Sequence, residues 1–416
     1  MTAPLRRRGP RPLPLHLMMG ASRGWLALAA MPMPSGSGWP SWSDAWPISK
    51  AGRAELARIR ARLAELGAEA NLAPEAFRAA VLRRLLREDR ALLAGIAAYR
   101  RHPYERRLPD PPTIWAEGGS RLLDYGLPGA AGPPVVFVPS LVNRAYVLDL
   151  AERASLLRFL AGQGVRPLLL DWGWPGEAER AFTLTDYIAG RLERALMAAS
   201  GPVILAGYCM GGLLGLALAL RRPDLVRGLA LLATPWDFHA GPDGEARARA
   251  AAGALPGLEA LMGPTGALPV DVLQTLFASL DPFGIAEKFR GFGRLDQASP
   301  AARRFVALED WLNDGVPLAA PVARQCIGGW YGRNEPTSLA WRVAGQVVDP
   351  ALWQGPAFAA IPHRDRIVPP ASALALTGRL RQVKLHMAPA GHIGMVAGIA
   401  AEAALWKPLR DWLRGL

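Results

Sequence analysis

The stretch Val203–Gly212 constrains the fold more than any other part of this 416-residue chain. Val203 to Ala206 form an uninterrupted apolar run, the mark of a strand buried on both faces. They lead directly into Gly207-Tyr208-Cys209-Met210-Gly211, and Leu213 to Leu220 continue as an apolar helix. A strand that becomes a helix within so few residues strains the residue at the turn, and only small neighbours let the two elements approach closely. The pattern is a G-x-S-x-G nucleophile elbow with sulfur in place of oxygen. Cys209 then stands at a helix N-terminus, where backbone N–H groups and the helix dipole favour a thiolate. The plainer alternative is a small packed cysteine in a glycine-rich turn. Partners elsewhere in the chain decide between the two.

Those partners follow in the order nucleophile, acid, histidine that alpha/beta-hydrolases use. Ala357–Ile361 reads as a buried strand and is followed by Pro362-His363-Arg364-Asp365-Arg366, so Asp365 sits where the orienting acid belongs. Val383–Met387 is a short alternating strand, and Gly391-His392-Ile393-Gly394 lies just past it. His392, in a glycine-flanked loop, has room to reach Cys209. His386 lies inside its strand and is expected to be packed or at the surface; His363 precedes the acid and would break the order. A thiol near its ordinary pKa is only a few per cent thiolate at neutral pH, so an imidazole oriented by a carboxylate is what activates it. The N–H of Met210, next after the nucleophile, is one expected oxyanion donor. The other is expected from the loop after the Val135–Val138 strand, Pro139-Ser140-Leu141-Val142-Asn143-Arg144, with Val142 and Asn143 both open as donors.

Strand and helix patterns alternate from Pro111 onward. Thr113–Ala116 and Arg121–Tyr125 read as an antiparallel start. Val135–Val138, Pro167–Leu170, Val203–Ala206, Leu229–Leu232, Ala357–Ile361 and Val383–Met387 follow as a mostly parallel sheet covered by helices on both faces. Residues 111–416 therefore form one α/β catalytic domain. The interval 238–354 interrupts the strand rhythm and is expected to be a helical cap over the nucleophile, excluding water. Trp311, Trp330, Tyr331 and Trp341 either line an acyl tunnel in that cap or simply fill its core. Asp171 and Trp172, just after the Pro167–Leu170 strand, either touch substrate or close their own loop.

The N-terminal third reads differently. Residues 1–50 begin with arginines among prolines, and Leu13 to Met33 is mostly apolar but divided at Arg23-Gly24 into pieces 13–22 and 25–33, each too short to span a bilayer. Two readings stand: a surface-seeking segment contacting a polymer granule or lipid, and a helix packed on the protein core. Pro34 to Pro47, with Trp39, Trp42 and Trp46, reads as a linker that docks on something apolar. Residues 51–110 are helical by periodicity, with arginines on the faces opposite Leu56, Ile59, Leu63 and Leu66; the pair fits a homodimer or partner-subunit surface, or a solvated face.

The formal charge of +13 is nearly all arginine. It suits an anionic ligand or surface, but no zinc spacing, Walker loop or dinucleotide fingerprint accompanies it, so neither nucleic acid nor metal nor resident cofactor is expected. Two cysteines cannot make a disulfide framework and suit a reducing, cytoplasmic setting. Cys326 has no elbow features and reads as a packed thiol.

The motif set as a whole resembles the polyhydroxyalkanoate synthases, acyltransferases on the alpha/beta-hydrolase fold. The resemblance spans roughly residues 110–415. It rests on Pro139–Leu150, Asp171-Trp172-Gly173-Trp174-Pro175, the cysteine elbow, Glu309–Gly315, Asp365–Pro369 and Gly391–Gly394, in the family's order. It implies 3-hydroxyacyl-CoA thioesters as substrates and a polyester product. Cys209 would carry the acyl group and His392 would deprotonate the thiol. Asp365 would either assist His392 or activate the incoming 3-hydroxyl. An esterase or depolymerase with the same triad is the alternative, because water need only replace the hydroxyl acceptor.

Overall fold

The structure is a computed structural model that describes residues 5–29, 53–59, 61–62, 65, 74–130, 132–241, 244–279 and 282–416. The proposed linker Pro34–Pro47 and the apolar positions Leu63 and Leu66 lie outside the described residues. The chain forms two compact units, Met1–Pro103 with Asp281–Arg303, and Tyr104–Leu280 with Arg304–Leu416.

In the larger unit an eight-stranded sheet is built from β1 (Thr113–Glu117), β2 (Ser120–Asp124), β3 (Val135–Val138), β4 (Pro167–Asp171), β5 (Val203–Tyr208), β6 (Val226–Leu232), β7 (Ala357–Pro362) and β8 (Val383–Ala388). Their spatial order is β1-β2-β4-β3-β5-β6-β7-β8. β2 runs antiparallel to both neighbours, and every pairing from β4 to β8 is parallel. Each expected strand is present: Val135–Val138 has its expected bounds, the expected Arg121–Tyr125 strand is shifted by one residue to Ser120–Asp124, and the others extend by one to three residues at an end. The period of two explains how both faces become buried. Val136, Val138, Leu168, Leu170, Leu205 and Leu231 enter one core layer, whereas Val135, Phe137, Leu169, Ile204, Ala206 and Leu232 enter the other.

Register positions the site. Tyr208 pairs with Leu232, Leu232 with Ala360, and Ala360 with His386, so one row of residues crosses β5 to β8 near their carboxyl ends. Loops leaving those ends all emerge on the same side of the sheet, where open α/β sheets bind ligands.

Between β6 and β7 the chain makes helices Gly244–Met262, Val270–Ala278, Pro282–Gly293 and Pro300–Asn313, followed by a short α-helix running into a π-helical turn, Gln325–Gly332. The expected insertion is thus helical, but its Asp281–Arg303 part clusters with the N-terminal helices rather than with the rest. Within that smaller unit, Phe289 packs edge-on against His16 and Tyr99, and Arg290 Nε donates to the Glu88 carbonyl at 3.1 Å. Leu13–Ala29 is one helix that runs through Arg23-Gly24, the residues that divide its apolar stretch. The helix contains Gly20 and Gly24, each costing about 1 kcal/mol relative to alanine; a Cβ on Gly20 would collide with Leu92, and His16 packs against Phe289. No described helix is long and apolar enough to cross a membrane.

Candidate active site

Cys209 occupies the turn between β5 and helix Met210–Arg221, with φ 56° and ψ −127°. A non-glycine residue there costs roughly 1–3 kcal/mol, which the surrounding structure must sustain. The flanking glycines are steric necessities: a Cβ on Gly207 would run into the Gly212 backbone, and one on Gly211 into the Val138 carbonyl. The Cys209 N–H donates to the Leu232 carbonyl at 2.8 Å, tying the elbow to the end of β6.

Asp365 lies in the turn after β7 and His392 in the loop after β8. Backbone bonds from His363 N to the Ala388 carbonyl (3.1 Å) and from Arg364 N to the Ala390 carbonyl (3.1 Å) hold those two loops together. Asp365 Oδ1 accepts from the N–H groups of Ile367 (2.8 Å) and Val368 (2.9 Å), which leaves Oδ2 to accept from His392 Nδ1 at 2.7 Å. The remaining imidazole nitrogen is Nε2, and the His392 and Cys209 side chains lie within hydrogen-bonding reach. Both partners of the Asp–His pair are buried, at 6% and 8% exposure, so the pair is little screened by water. Burial disfavours the imidazolium, but the Cys209 sulfur charge and the hydrogen bonds to Asp365 and Cys209 outweigh it, raising His392 to about 10. Tyr208 completes the support: its hydroxyl donates to the His392 carbonyl at 3.3 Å, and its ring lies 5.2 Å from the imidazole.

Cys209 and His392 open onto a cavity also lined by Val142, Asn143, Trp311, Gln274, Phe277 and Ile367. Val142 and Asn143, both expected as oxyanion donors, line the same cavity as Cys209. Met210 is the first residue of its helix, where N–H groups lack an intrahelical acceptor, but it is not among the cavity-lining residues. The Asn143 Oδ1 atom is buried without a hydrogen-bond partner.

The other histidines lie elsewhere. His386 stacks on Phe358 and meets the Ala404 carbonyl at 2.7 Å; His363 meets the Ala388 carbonyl at 2.9 Å. Cys326 is buried, and burial pushes its thiol well up, which suits an inert packed residue. Of the four aromatic residues considered for an acyl tunnel, Trp311 lines the cavity. Trp330 and Trp341 instead pack edge-to-face at 5.1 Å inside the core. Asp171 and Trp172 close a loop: Asp171 Oδ2 accepts from Arg121 Nη2 (3.1 Å) and Arg144 Nη2 (3.3 Å), and Trp172 Nε1 donates to the Pro139 carbonyl (3.0 Å). Sequence reasoning missed Gln274, Phe277 and Ile367 as lining residues, and Tyr208 as a support; Tyr208 and Ile367 carried a signal, their places inside the elbow and Asp365–Pro369 motifs. Among the described residues no group of three or more His, Cys, Asp or Glu side chains is arranged to hold a metal ion.

The fold and the Cys–His–Asp constellation define an alpha/beta-hydrolase-fold protein with a thiol at the nucleophile position. Consistent with this, residues 133–259 match the alpha/beta hydrolase fold family. A poly(3-hydroxyalkanoate) polymerase subunit PhaC from Allochromatium vinosum is 31% identical over 297 residues, covering 69% of this chain and 82% of that protein. The subunit of the same name from a Synechocystis species is 29% identical, covering 67% and 77%. Among solved structures, the chain is similar to a thioesterase domain from the curacin biosynthetic pathway, with 15% identity, a TM-score of 0.43, and coverage of 72% and 97%. The chain belongs to the polyhydroxyalkanoate synthase family and is an enzyme of that type.

Proposed function

We propose that this enzyme polymerises 3-hydroxyacyl-CoA thioesters through an acyl-cysteine intermediate. The observation that supports this most directly is His392, bonded through Nδ1 to Asp365 and within reach of the Cys209 thiol. His392 Nε2 takes the thiol proton, and the thiolate attacks the thioester carbonyl. Backbone N–H groups of Met210 and of Val142 or Asn143 receive the developing oxyanion. Collapse of the tetrahedral adduct breaks the carbon–sulfur bond to CoA, which leaves as its thiol after taking the proton from His392. The 3-hydroxyl of an incoming 3-hydroxyacyl-CoA then gives its proton to His392 and attacks the acyl-cysteine carbonyl; the carbon–sulfur bond to Cys209 breaks, the thiolate recovers the proton from His392, and the product, one ester longer and carried on CoA, reloads Cys209 for the next addition. Asp365 stabilises the imidazolium in both half-reactions. The arginine excess suits the anionic CoA and a granule surface.

The test is incubation of purified protein with 3-hydroxybutyryl-CoA while following CoA release, turbidity and free acid. Release of CoA with rising turbidity is expected. Release matched by free 3-hydroxybutyrate would make the enzyme a hydrolase. Cys209→Ala is expected to abolish CoA release while leaving the circular dichroism spectrum unchanged; retained turnover would refute the acyl-cysteine route.

A further inference from the structure

The loop Pro139–Arg144 is held from two directions. At its start, Trp172 Nε1 donates to the Pro139 carbonyl at 3.0 Å, anchoring it to the end of β4. Its far end is held by the helical insertion. Trp311 Nε1 donates to the Arg144 carbonyl at 2.7 Å, Val316 N donates to the Val142 carbonyl at 3.2 Å, and Asn143 forms an antiparallel bridge with Gly315. Beyond the loop, the Tyr146 hydroxyl hydrogen-bonds Asp314. Gln274, on another helix of the insertion, donates to the Leu312 carbonyl at 2.8 Å and itself lines the cavity.

One consequence is geometric. A trans peptide is planar, with C=O and the following N–H pointing in opposite directions. Fixing the Val142 carbonyl on Val316 therefore fixes the direction of the Asn143 N–H, which points away from Val316. The insertion thus sets the orientation of the amide of a residue that lines the same cavity as Cys209. We propose that Trp311, with the adjoining Gly315–Val316 segment, is a positioning element that makes the oxyanion site competent only while the insertion is seated on this loop. Displacing the 311–316 segment to admit substrate or release product breaks the Trp311 and Val316 bonds together and frees the Asn143 amide. Opening and catalysis are then mutually exclusive states of one contact. The inference rests on the acyl-cysteine reading and adds to it a control by the insertion.

Trp311→Phe keeps the ring that lines the cavity and deletes the N–H. With 3-hydroxybutyryl-CoA, kcat is expected to fall roughly 10- to 100-fold while KM stays within about 3-fold, because the lost interaction acts on the transition state. Alkylation of Cys209 by iodoacetamide needs thiolate but no oxyanion site, so its rate and pH profile are expected to match the parent. A kcat within about 3-fold of the parent overturns the proposal. So does an alkylation rate that falls in step with kcat, which would make Trp311 a prop for the nucleophile. Should Trp311→Phe not fold, Tyr146→Phe decides. It retains the ring 5.3 Å from Arg106 and severs only the tie to Asp314. A smaller loss in kcat at constant KM supports the coupling, and an unchanged kcat overturns it. Failure of the underlying reading shows separately, as turnover retained by Cys209→Ala.

Discussion

Replacing Asp365 by Asn probes the histidine's orientation atom by atom. Oδ1 of Asp365 accepts two backbone N–H bonds, from Ile367 at 2.8 Å and Val368 at 2.9 Å, while Oδ2 accepts from His392 Nδ1 at 2.7 Å. In the variant the carboxamide oxygen must stay on the two amides. The opposite rotamer would set an NH2 group against two N–H donors, at a cost of about 1–3 kcal/mol for each donor left unpaired. The amide nitrogen therefore faces Nδ1 and donates to it, so the neutral imidazole carries its proton on Nε2, the nitrogen needed to accept from the thiol. The base is lost with almost no change in shape. A comparable tautomer inversion in serine proteases lowers kcat by about 10⁴. A thiol is easier to deprotonate than a serine hydroxyl, so a loss of roughly 10²–10⁴ is expected here, about 3–5 kcal/mol of activation free energy. Initial CoA release from 3-hydroxybutyryl-CoA across a pH series measures it, with a thermal melt to confirm folding. A variant that folds and turns over within a few fold of the parent would refute the assignment of Asp365 as the group that sets the tautomer.

Three further outcomes are expected. His392→Gln should lower turnover by orders of magnitude, whereas His386→Gln and His363→Gln should stay within a few fold, since those rings bond backbone carbonyls away from the cavity. Gly211→Ala forces a Cβ into the Val138 carbonyl and should destabilise the fold by about 1–3 kcal/mol, read as a lower urea midpoint. His392 is opposed by burial yet raised to about 10 by Cys209 and Asp365, so its folded value lies above its unfolded value near 6.5. That contribution to stability is complete below about pH 6.5 and is lost as pH rises through 10. Urea midpoints should fall over that window, with a shallower fall in Cys209→Ala.

The strands and the candidate triad were legible because each is written in neighbouring residues. Val135–Val138 and Val203–Ala206 are apolar runs bounded by glycine and proline, and a run of that kind has few places to go except the middle of a sheet. Cys209 was legible because flanking glycines announce a turn that other residues could not make. Other assignments depended on contacts between residues far apart in the chain. The stretch Gly253–Pro269 is rich in glycine and proline, yet helix Gly244–Met262 passes through Pro256. Asp171 and Trp172 fitted two roles equally until the partners Arg144 and Pro139 were known. Trp311 looked like one aromatic residue among four, and its distinction is a single N–H aimed at Arg144.

Local patterning by itself determined that this chain builds a parallel sheet, places a thiol on a sharp turn, and supplies an acid and a histidine later in the order of an alpha/beta hydrolase. Those properties follow from backbone sterics and the burial of apolar runs, which act over a few residues at a time. Tertiary structure decided which oxygen of Asp365 meets His392, and which core the Asp281–Arg303 segment joins. It also decided which part of the insertion grips the loop beside Cys209. Hydrogen-bond geometry resolves tenths of an ångström between groups 27 residues apart, as for Asp365 and His392, or 167 apart, as for Arg144 and Trp311, and only the folded chain brings them that close.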